Sequence, residues 1–322
     1  MTARRDLPSE FVDAPFTVAT AVAAGVGRDR LARQDLARPF WGIRMPAARA
    51  SGPIDHCRAA LLGCPPDAYL RGATAARVIG MPVPTRFLAR TLVDVGLPAP
   101  ARAVRRGGIA GAVSTIRDGE LITWSTLPVT TPERTGCDLG TQITVPELVA
   151  AGDWLLRSGL ATATSLAESI AARVDRRGTR ALVAALELLD AASESPKESE
   201  LRALVVLAGL PRPVANPTIR HDDGRFVARV DLLFEGYREI LEYQGDHHRT
   251  DVAQWRRDRS REAELESLGF HVMEVTAADL HRPRELVERI TRNLGRAGWS
   301  GALRGSRWFP GSPVRREDGF RP

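Results

Sequence analysis

The stretch 225–250, RFVARVDLLFEGYREILEYQGDHHRT, constrains the fold of this chain more than any other. Two runs of strand-forming residues flank Glu235-Gly236, and a short Gly-containing turn between such runs predicts a β-hairpin. We expect Phe234 to pair with Tyr237 at the closed end. Because side chains alternate between the two faces of a strand, this register decides which polar groups meet.

Acidic side chains share one face of the predicted hairpin. Asp231 falls opposite Ile240, with Glu242 as its diagonal neighbour and Gln244 on the same face. Two carboxylates a few ångströms apart repel unless a cation lies between them, and Mg²⁺ prefers such hard oxygen ligands. The alternative is a solvated sheet face with an ion pair between Arg229 and Glu242.

Length and composition limit the class of protein. The 322 residues, 43% of them hydrophobic, suit one large domain or two to three ordinary ones. No apolar stretch reaches membrane-spanning length, and Glu10 and Asp13 interrupt the basic start before a signal-like run forms, so we expect a cytoplasmic protein. The three cysteines lack metal or redox spacing. A formal net charge of +6 permits a polyanionic partner without proving one.

Residues 14–46, called here the head, have the pattern of a small helical DNA-binding domain. Thr17 is a suitable N-cap for a helix that stops at Gly25, and a second helix over 28–37 carries Arg residues. The following PFWGIRMP predicts a wing-like hairpin, which completes the layout of a winged helix-turn-helix. The residues expected to contact DNA are Arg28, Arg30 and Arg33. The alternative is a packing module whose Arg side chains are merely solvated.

The region 51–192 has mixed character. It predicts a short helix ending at Gly80, strands within 104–124, a helix capped by Thr131, and further helices from Val145. Arg134 and Asp138 are four residues apart, so we expect a structural ion pair. DAASESPK at 190–197 is typical of a linker.

After this segment the predicted order is helix, three strands, helix, strand, helix. Several spaced motifs recur in that order: Glu198-Ser199-Glu200-Leu201-Arg202, Ala208-Gly209-Leu210-Pro211, Asp231, Glu242-Tyr243-Gln244-Gly245-Asp246-His247-His248-Arg249, then Asp258, Arg261, Leu265 and Gly269-Phe270. Over about 193–294 they resemble the very-short-patch-repair endonuclease-like branch of the PD-(D/E)XK, restriction-endonuclease-like fold. The head resembles AbiEi-type antitoxin-like proteins through Phe16-Thr17, Ala23-Ala24-Gly25, Arg30-Leu31 and Arg38-Pro39-Phe40-Trp41-Gly42.

These resemblances imply an α+β multi-domain chain. We expect a winged-helix DNA-binding domain at 1–50 and a mixed middle region at 51–192. A nuclease-like α/β core with a mixed sheet would occupy 193–295, and a flexible basic tail 296–322.

The nuclease resemblance also implies roles for particular residues. Asp231 and Glu242 would ligate Mg²⁺ or Mn²⁺, with Glu198 matching a helix carboxylate that completes the metal site. A competing interpretation makes Ser195 and Glu198 a capping box, in which Glu198 reaches back to the Ser195 N–H. The fold usually has Lys two residues after the second acid, where this chain has Gln244, a neutral amide that positions water but supplies no charge.

Other residues complete the expected site. His248, or its neighbour His247, would serve as acid, base or phosphate contact, which makes His248 a catalytic candidate beside Asp231, Glu242 and Gln244. Phosphate-backbone contacts are expected from the next helix, at Arg256, Arg257 and Arg259. On the same helix, Asp258 and Arg261 are expected to form a structural pair.

Two hypotheses for function follow. The first is a metal-dependent DNA endonuclease in repair, defence or a toxin–antitoxin module. The second is an antitoxin-like DNA-binding transcriptional regulator whose nuclease fold has lost activity, which Gln244 and the head favour. RNA as substrate is a third option. DNA is the expected partner in both main hypotheses, whereas a homodimer and a toxin or repair partner are left open.

Overall fold

A computed structural model describes residues 7–50, 52–245 and 252–309, with the backbone alone for 252–258. The chain forms two compact units, Met1–Leu139 and Gly140–Pro322, called here the N-terminal and C-terminal units. Helices and mixed sheets occur together, which confirms the α+β class. The four-part division at residues 50, 192 and 295 stays a prediction.

The head of the N-terminal unit is a three-stranded antiparallel sheet with two short helices. Its elements are β1 Phe16–Thr17, α1 Val18–Ala23, α2 Arg28–Leu31, β2 Leu36–Ala37 and β3 Ile43–Pro46, and the strand order is β1-β3-β2. The N-cap prediction is confirmed, because Thr17 Oγ1 accepts the Thr20 N–H at 2.9 Å. The second helix, which the sequence predicts as far as residue 37, ends at Leu31. Leu36 instead enters a strand and is buried with Phe16 and Leu31 in the head's core.

The rest of the N-terminal unit surrounds a five-stranded mixed sheet of order β6-β5-β4-β8-β7. Its elements are α3 Pro53–Leu61, β4 Tyr69–Leu70, α4 Gly72–Ile79, α5 Thr85–Leu88, β5 Val93–Pro98, β6 Ile109–Ser114, β7 Leu121–Trp124, β8 Leu127–Thr130 and α6 Pro132–Leu139. The structural pair of Arg134 and Asp138 is confirmed at 3.1 Å. Arg134 also contacts Glu120, and Arg71 contacts Asp138, so the pair belongs to a larger alternating network.

Four helices begin the C-terminal unit: α7 Val145–Arg157, α8 Ala163–Ala171, α9 Thr179–Leu186 and α10 Pro196–Leu207. The predicted linker before α10 is packed rather than extended, since Ser193 is buried. Arg202 of α10 lies nearby and donates to Asp153 of α7 at 2.7 Å. Both side chains are fully buried, so this ion pair fixes α10 against α7.

Six strands and three helices complete the C-terminal unit: β9 Val214–Ala215, β10 Thr218–Arg220, β11 Phe226–Arg229, β12 Leu232–Phe234, β13 Glu239–Gln244, α11 Val252–Ser267, β14 His271–Thr276, α12 Ala277–Leu280 and α13 Pro283–Arg296. The main sheet has the order β14-β13-β12-β9, with β13 and β14 parallel and the other pairs antiparallel, as expected of a mixed sheet. β10 pairs with β11 separately. Leu265 of α11 is buried in one hydrophobic cluster with Val230 and Ile240.

The central hairpin is confirmed, but its predicted register is wrong by two residues. Phe234 pairs with Glu239 rather than with Tyr237. A 3-10 turn over Glu235–Tyr237 connects the strands, and Arg238 follows with a φ of 49°. The turn is therefore four residues long instead of two. A shift of two residues keeps every side chain on its predicted face, because the strand period is two.

The predicted flexible tail is wrong for its first part. The Ser306 N–H donates to the Leu207 carbonyl at 2.7 Å, and the Arg304 N–H donates to the Ala208 carbonyl at 3.1 Å. These bonds satisfy carbonyls at the end of α10, which the helix itself leaves without partners. Gly209, with a φ of +87°, lies so close to Arg304 that a Cβ would meet backbone at 2.6 Å. Residues 310–322 lie outside the described part.

Within the described residues, no helix is both long and apolar enough to cross a membrane.

Candidate active site

The three predicted acids come from three elements of the C-terminal unit. Glu198 lies in the first turn of α10, Asp231 lies between β11 and β12, and Glu242 lies in β13. Asp231 comes just before the first paired residue of β12, Leu232, whose partner is Leu241 and not the residue that the predicted register gives it. The Asp231 carboxylate reaches β13 at the N–H of Tyr243, the residue after Glu242.

Two backbone hydrogen bonds hold Asp231 in place. Its Oδ2 accepts the Tyr243 N–H at 2.7 Å, and its carbonyl oxygen accepts the Asn216 N–H at 2.8 Å. The pKa of Asp231 is raised from 3.8 to about 6, first by burial and then by the negative charges of Glu198 and Glu242. Glu198 and Glu242 are thus both close enough to Asp231 for their charges to act on it.

Glu198 is 8% exposed and is directed inward by its hydrogen bonds. Its Oε2 accepts the Glu194 N–H at 2.9 Å and the Asn216 Nδ2 at 2.8 Å. The capping prediction is half correct: Ser195 Oγ accepts the Glu198 N–H, but Glu198 reaches the N–H of Glu194 instead of that of Ser195. Glu200, which the sequence does not separate from Glu198, pairs with Lys197.

Glu242 pairs with Arg261, which the sequence predicts as a partner of Asp258. Its Oε2 accepts from Arg261 Nη2 at 2.8 Å, across from β13 to α11. Arg229, the expected partner in the solvated-face alternative, instead pairs with Glu194 at 2.7 Å. The Asp258 side chain lies outside the described part, so its predicted pair with Arg261 stays a prediction.

Gln244 ends β13 and is held by the neighbouring strand. Its Nε2 donates to Glu274 Oε1 at 3.1 Å. Glu274 lies beside Glu242 in the parallel register of β13 and β14. Because the amide NH₂ points at Glu274, the amide oxygen of Gln244 is the atom left to face the acids or a water.

The donor chemistry of the site fits a hard divalent cation, although the acids are not closed around one point. Carboxylate oxygens are the ligands that Mg²⁺ and Mn²⁺ prefer, and a cation would offset both the burial and the neighbouring negative charges that raise the pKa of Asp231. In the described part of the chain, no group of three His, Cys, Asp or Glu side chains is arranged to hold a metal ion. The electrostatic coupling is therefore present without a finished coordination shell.

Several predicted site residues fall where little is described. His247 and His248 lie at 246–251, outside the described residues, and the side chains of Arg256 and Arg257 are also outside them. Arg259 is described and donates to Glu262 on the exposed side of α11. The roles predicted for these residues stay predictions.

The head offers a separate basic surface. Arg28 and Arg33 are exposed, whereas Arg30 donates two hydrogen bonds to Asp35, at 2.8 and 3.1 Å. Trp41, in the turn between β2 and β3, is 88% exposed. The guanidinium of Arg106 lies 6.0 Å from the centroid of the Trp41 ring. An exposed aromatic ring with a cation near it suits contact with nucleic acid, whereas Arg30 has a structural partner in Asp35.

Sequence reasoning missed three residues at the acid site. Asn216 has a φ of 49° and separates β9 from β10. The Asn216-Pro217 dipeptide, typical of a turn, was the available signal. Arg261 lies one helical turn before buried Leu265, and this spacing predicts the inner face of α11. Glu274 had no local signal, because only strand pairing brings it to Gln244.

Comparisons with known proteins give relatives but no family. Two curated proteins of Mycobacterium tuberculosis, one from each of two strains and both described as uncharacterized, are 34% identical to this chain over 176 residues. The match covers 53% of this chain and 64% of each relative. No family model matches the chain, and no solved structure matches it. The relatives are evidence of shared ancestry and assign no activity.

Proposed function

We propose that this protein is a metal-dependent endonuclease that hydrolyses DNA phosphodiester bonds at the acid site of the C-terminal unit. The observation that supports it most is the meeting of Glu198, Asp231 and Glu242 from three separate elements. A buried like-charge group is unfavourable for stability, and such arrangements are typical of functional sites. The acids are carried by α10 and by the sheet β14-β13-β12-β9: Glu198 lies in α10, Glu242 in β13 and Asp231 just before β12.

In this proposal Asp231, Glu242 and Glu198 hold a Mg²⁺ or Mn²⁺ ion. When bound, such a cation polarises the scissile phosphate and lowers the pKa of an attacking water. Asp231 is fixed by the Tyr243 N–H, and Glu198 is fixed by the Asn216 amide, so both ligands are oriented in advance. Ordered ligands of this kind lose little conformational freedom when the cation arrives.

Gln244 has the task of orienting water. Its NH₂ group donates to Glu274, and its amide oxygen would be the acceptor for that water. It supplies no positive charge to a phosphate, unlike the Lys common at this position of the fold. His248 remains the proposed proton donor or acceptor.

The proposal is tested with supercoiled plasmid and Mg²⁺ or Mn²⁺, using wild type, Asp231→Asn and Asp222→Asn prepared identically. Asp222 is exposed in the turn after β10 and makes the same chemical change away from the acids. We expect nicking or linearisation by wild type and by Asp222→Asn, and a loss of more than about 100-fold in Asp231→Asn. Equal cleavage by all three would contradict the proposed site.

The head supports a second candidate function, a DNA-binding transcriptional regulator. The strand order β1-β3-β2 with two helices and a hairpin turn supports a winged-helix arrangement, and Arg28, Arg33 and Trp41 are exposed on it. Gln244 in place of Lys also favours a role without cleavage. In this candidate the C-terminal unit keeps the nuclease fold but not the reaction.

The regulator candidate is tested by DNA binding at several salt concentrations. Arg33→Ala should weaken binding and make the slope of log affinity against log salt shallower by about one, because one guanidinium no longer neutralises a phosphate. Arg282→Ala, an exposed change in the C-terminal unit, is the control. Arg30→Ala is not a clean probe, since it also leaves Asp35 without its bidentate partner. Unchanged binding by Arg33→Ala would indicate a packing module.

A further inference from the structure

Arg261 is the cation that the acid site contains in place of a lysine on β13. It comes from α11, and its Nη2 donates to Glu242 Oε2 at 2.8 Å. Its side chain is 37% exposed, while that of Glu242 is 11% exposed. One end of the contact is therefore fixed in the sheet, and the other remains accessible from solvent.

The position of Arg261 follows from the way α11 packs. Leu265, one turn later on the helix, is 1% exposed and lies in the core with Val230 and Ile240. Residues four apart lie on the same face of a helix, so burial of Leu265 directs Arg261 toward the sheet. Arg259, two residues earlier, is directed away and pairs with Glu262.

The charges around Arg261 are unequal. Glu198, Asp231 and Glu242 interact at the site, and Arg261 is close enough to act on Asp231 as well as on Glu242. Gln244, at the position where a lysine would stand, is neutral and bonded to Glu274. Among the described residues, positive charge therefore reaches Glu242 and Asp231 from α11, through Arg261.

We propose that Arg261 has two successive partners. Before a cation binds, it neutralises Glu242. Once the carboxylates hold a divalent cation, Glu242 turns to the cation and Arg261 contacts a phosphate oxygen of the DNA backbone, where it stabilises negative charge. The second partner rests on the proposed nuclease function, and the first does not. A guanidinium suits this exchange because its several N–H donors match both carboxylate and phosphate oxygens.

The first partner is tested by titrating Mn²⁺ alone, without DNA, into wild type, Arg261→Gln, Arg261→Lys and Arg259→Gln. Removing the guanidinium removes a competitor for Glu242, so Arg261→Gln should bind Mn²⁺ about threefold to tenfold more tightly. Arg259→Gln removes the same charge from the outer face of the same helix and should change the affinity much less. Arg261→Lys should stay near wild type.

Equal Mn²⁺ affinities for Arg261→Gln and Arg259→Gln would overturn the competition. Weaker binding by Arg261→Gln would overturn it too, because Arg261 would then hold Glu242 in its ligating position. Circular dichroism and thermal unfolding of each variant show whether the fold is retained, and Arg261→Lys provides the comparison if Arg261→Gln unfolds.

The second partner is tested by the rate of plasmid cleavage at saturating Mn²⁺. We expect Arg261→Gln to lose at least about tenfold in rate and Arg261→Lys to recover part of it. A wild-type rate in Arg261→Gln, with cleavage abolished by Asp231→Asn, would overturn the phosphate contact and leave the nuclease proposal intact. Cleavage that survives Asp231→Asn would instead contradict the nuclease site, and the Mn²⁺ titration would still decide the first partner.

Discussion

Helix α10 contributes one residue to each of two groups of acidic and arginine side chains, and the two groups differ in charge balance. Arg202 and Asp153 form one pair, with side chains 0% and 1% exposed. One turn earlier on the same helix, Glu198 belongs to the acid site with Asp231 and Glu242. The first arrangement matches one carboxylate with one guanidinium, whereas in the second Arg261 contacts only Glu242 of the three described acids.

The buried pair has its hydrogen bonds filled. Arg202 donates to Asp153, to the Leu188 carbonyl and to Ser193 Oγ. Asp153 also accepts the Asp190 N–H at 2.7 Å. A buried ion pair is tolerated when its remaining donors and acceptors find partners in this way. Its role is to hold α10 on α7 and on the segment before α10.

Among the described residues, the acid site has more negative than positive charge. The raised pKa of Asp231 is a cost to the folded state that comes first from burial and then from the charges of Glu198 and Glu242. The same residue types are therefore arranged differently in the two places: the matched pair joins α10 to α7, and the unmatched group is the one that we propose to bind a cation. Strain of this kind persists where the surrounding structure holds it in place.

The largest effect is expected from breaking the matched pair. Arg202→Met leaves the Asp153 charge buried without its cation, which should lower the free energy of unfolding by about 3–5 kcal/mol, as measured by urea denaturation. The double variant Asp153→Asn with Arg202→Met removes that stranded charge and should recover part of the loss. A cost below about 1 kcal/mol for Arg202→Met would show that the pair does not hold α10.

Asp231→Asn should have the opposite sign. The folded-state pKa, about 6, is above the ordinary 3.8, so the folded state binds this proton more tightly than the unfolded state does. The penalty is fully present above about pH 6 and disappears as the pH falls toward 3.8. In the absence of metal, Asp231→Asn should therefore stabilise the protein by about 1–2 kcal/mol at pH 8 and by little at pH 4.

Thermal unfolding of both proteins at the two pH values measures this difference, with Asp222→Asn as the control. A gain of equal size at pH 4 and pH 8 would show that the effect is not due to the carboxylate charge.

The smallest effects compare two glutamates on α10. Glu200 is paired with Lys197 near the surface, so Glu200→Gln should change stability by less than about 0.5 kcal/mol and leave Mn²⁺ affinity unchanged. Glu198→Gln keeps the shape and the hydrogen-bond acceptor but removes one charge from the acid site, so it should weaken Mn²⁺ binding several-fold. Equal Mn²⁺ affinities in the two variants would place Glu198 outside the metal site.

The sequence predicted local features well where a single segment decides them. The hairpin and the caps at Thr17 and Ser195 are present in the structure. It was wrong at the ends of elements, where packing against other segments decides how far a strand, helix or loop extends. The register slipped because the turn takes four residues, the second head helix ended early because Leu36 enters a strand, and the tail is bound to α10 as far as Ser306.

The amino-acid sequence by itself determined the acids, their alternation along the strands and the glycine and proline positions that end each element. Those are local properties of spacing and backbone freedom. Only the tertiary structure decided that Arg261 binds Glu242, that Asn216 holds Glu198 beside Asp231, and that Glu274 holds Gln244. Each of these contacts joins segments more than a dozen residues apart, so which partners meet depends on how strands and helices pack and not on any local pattern.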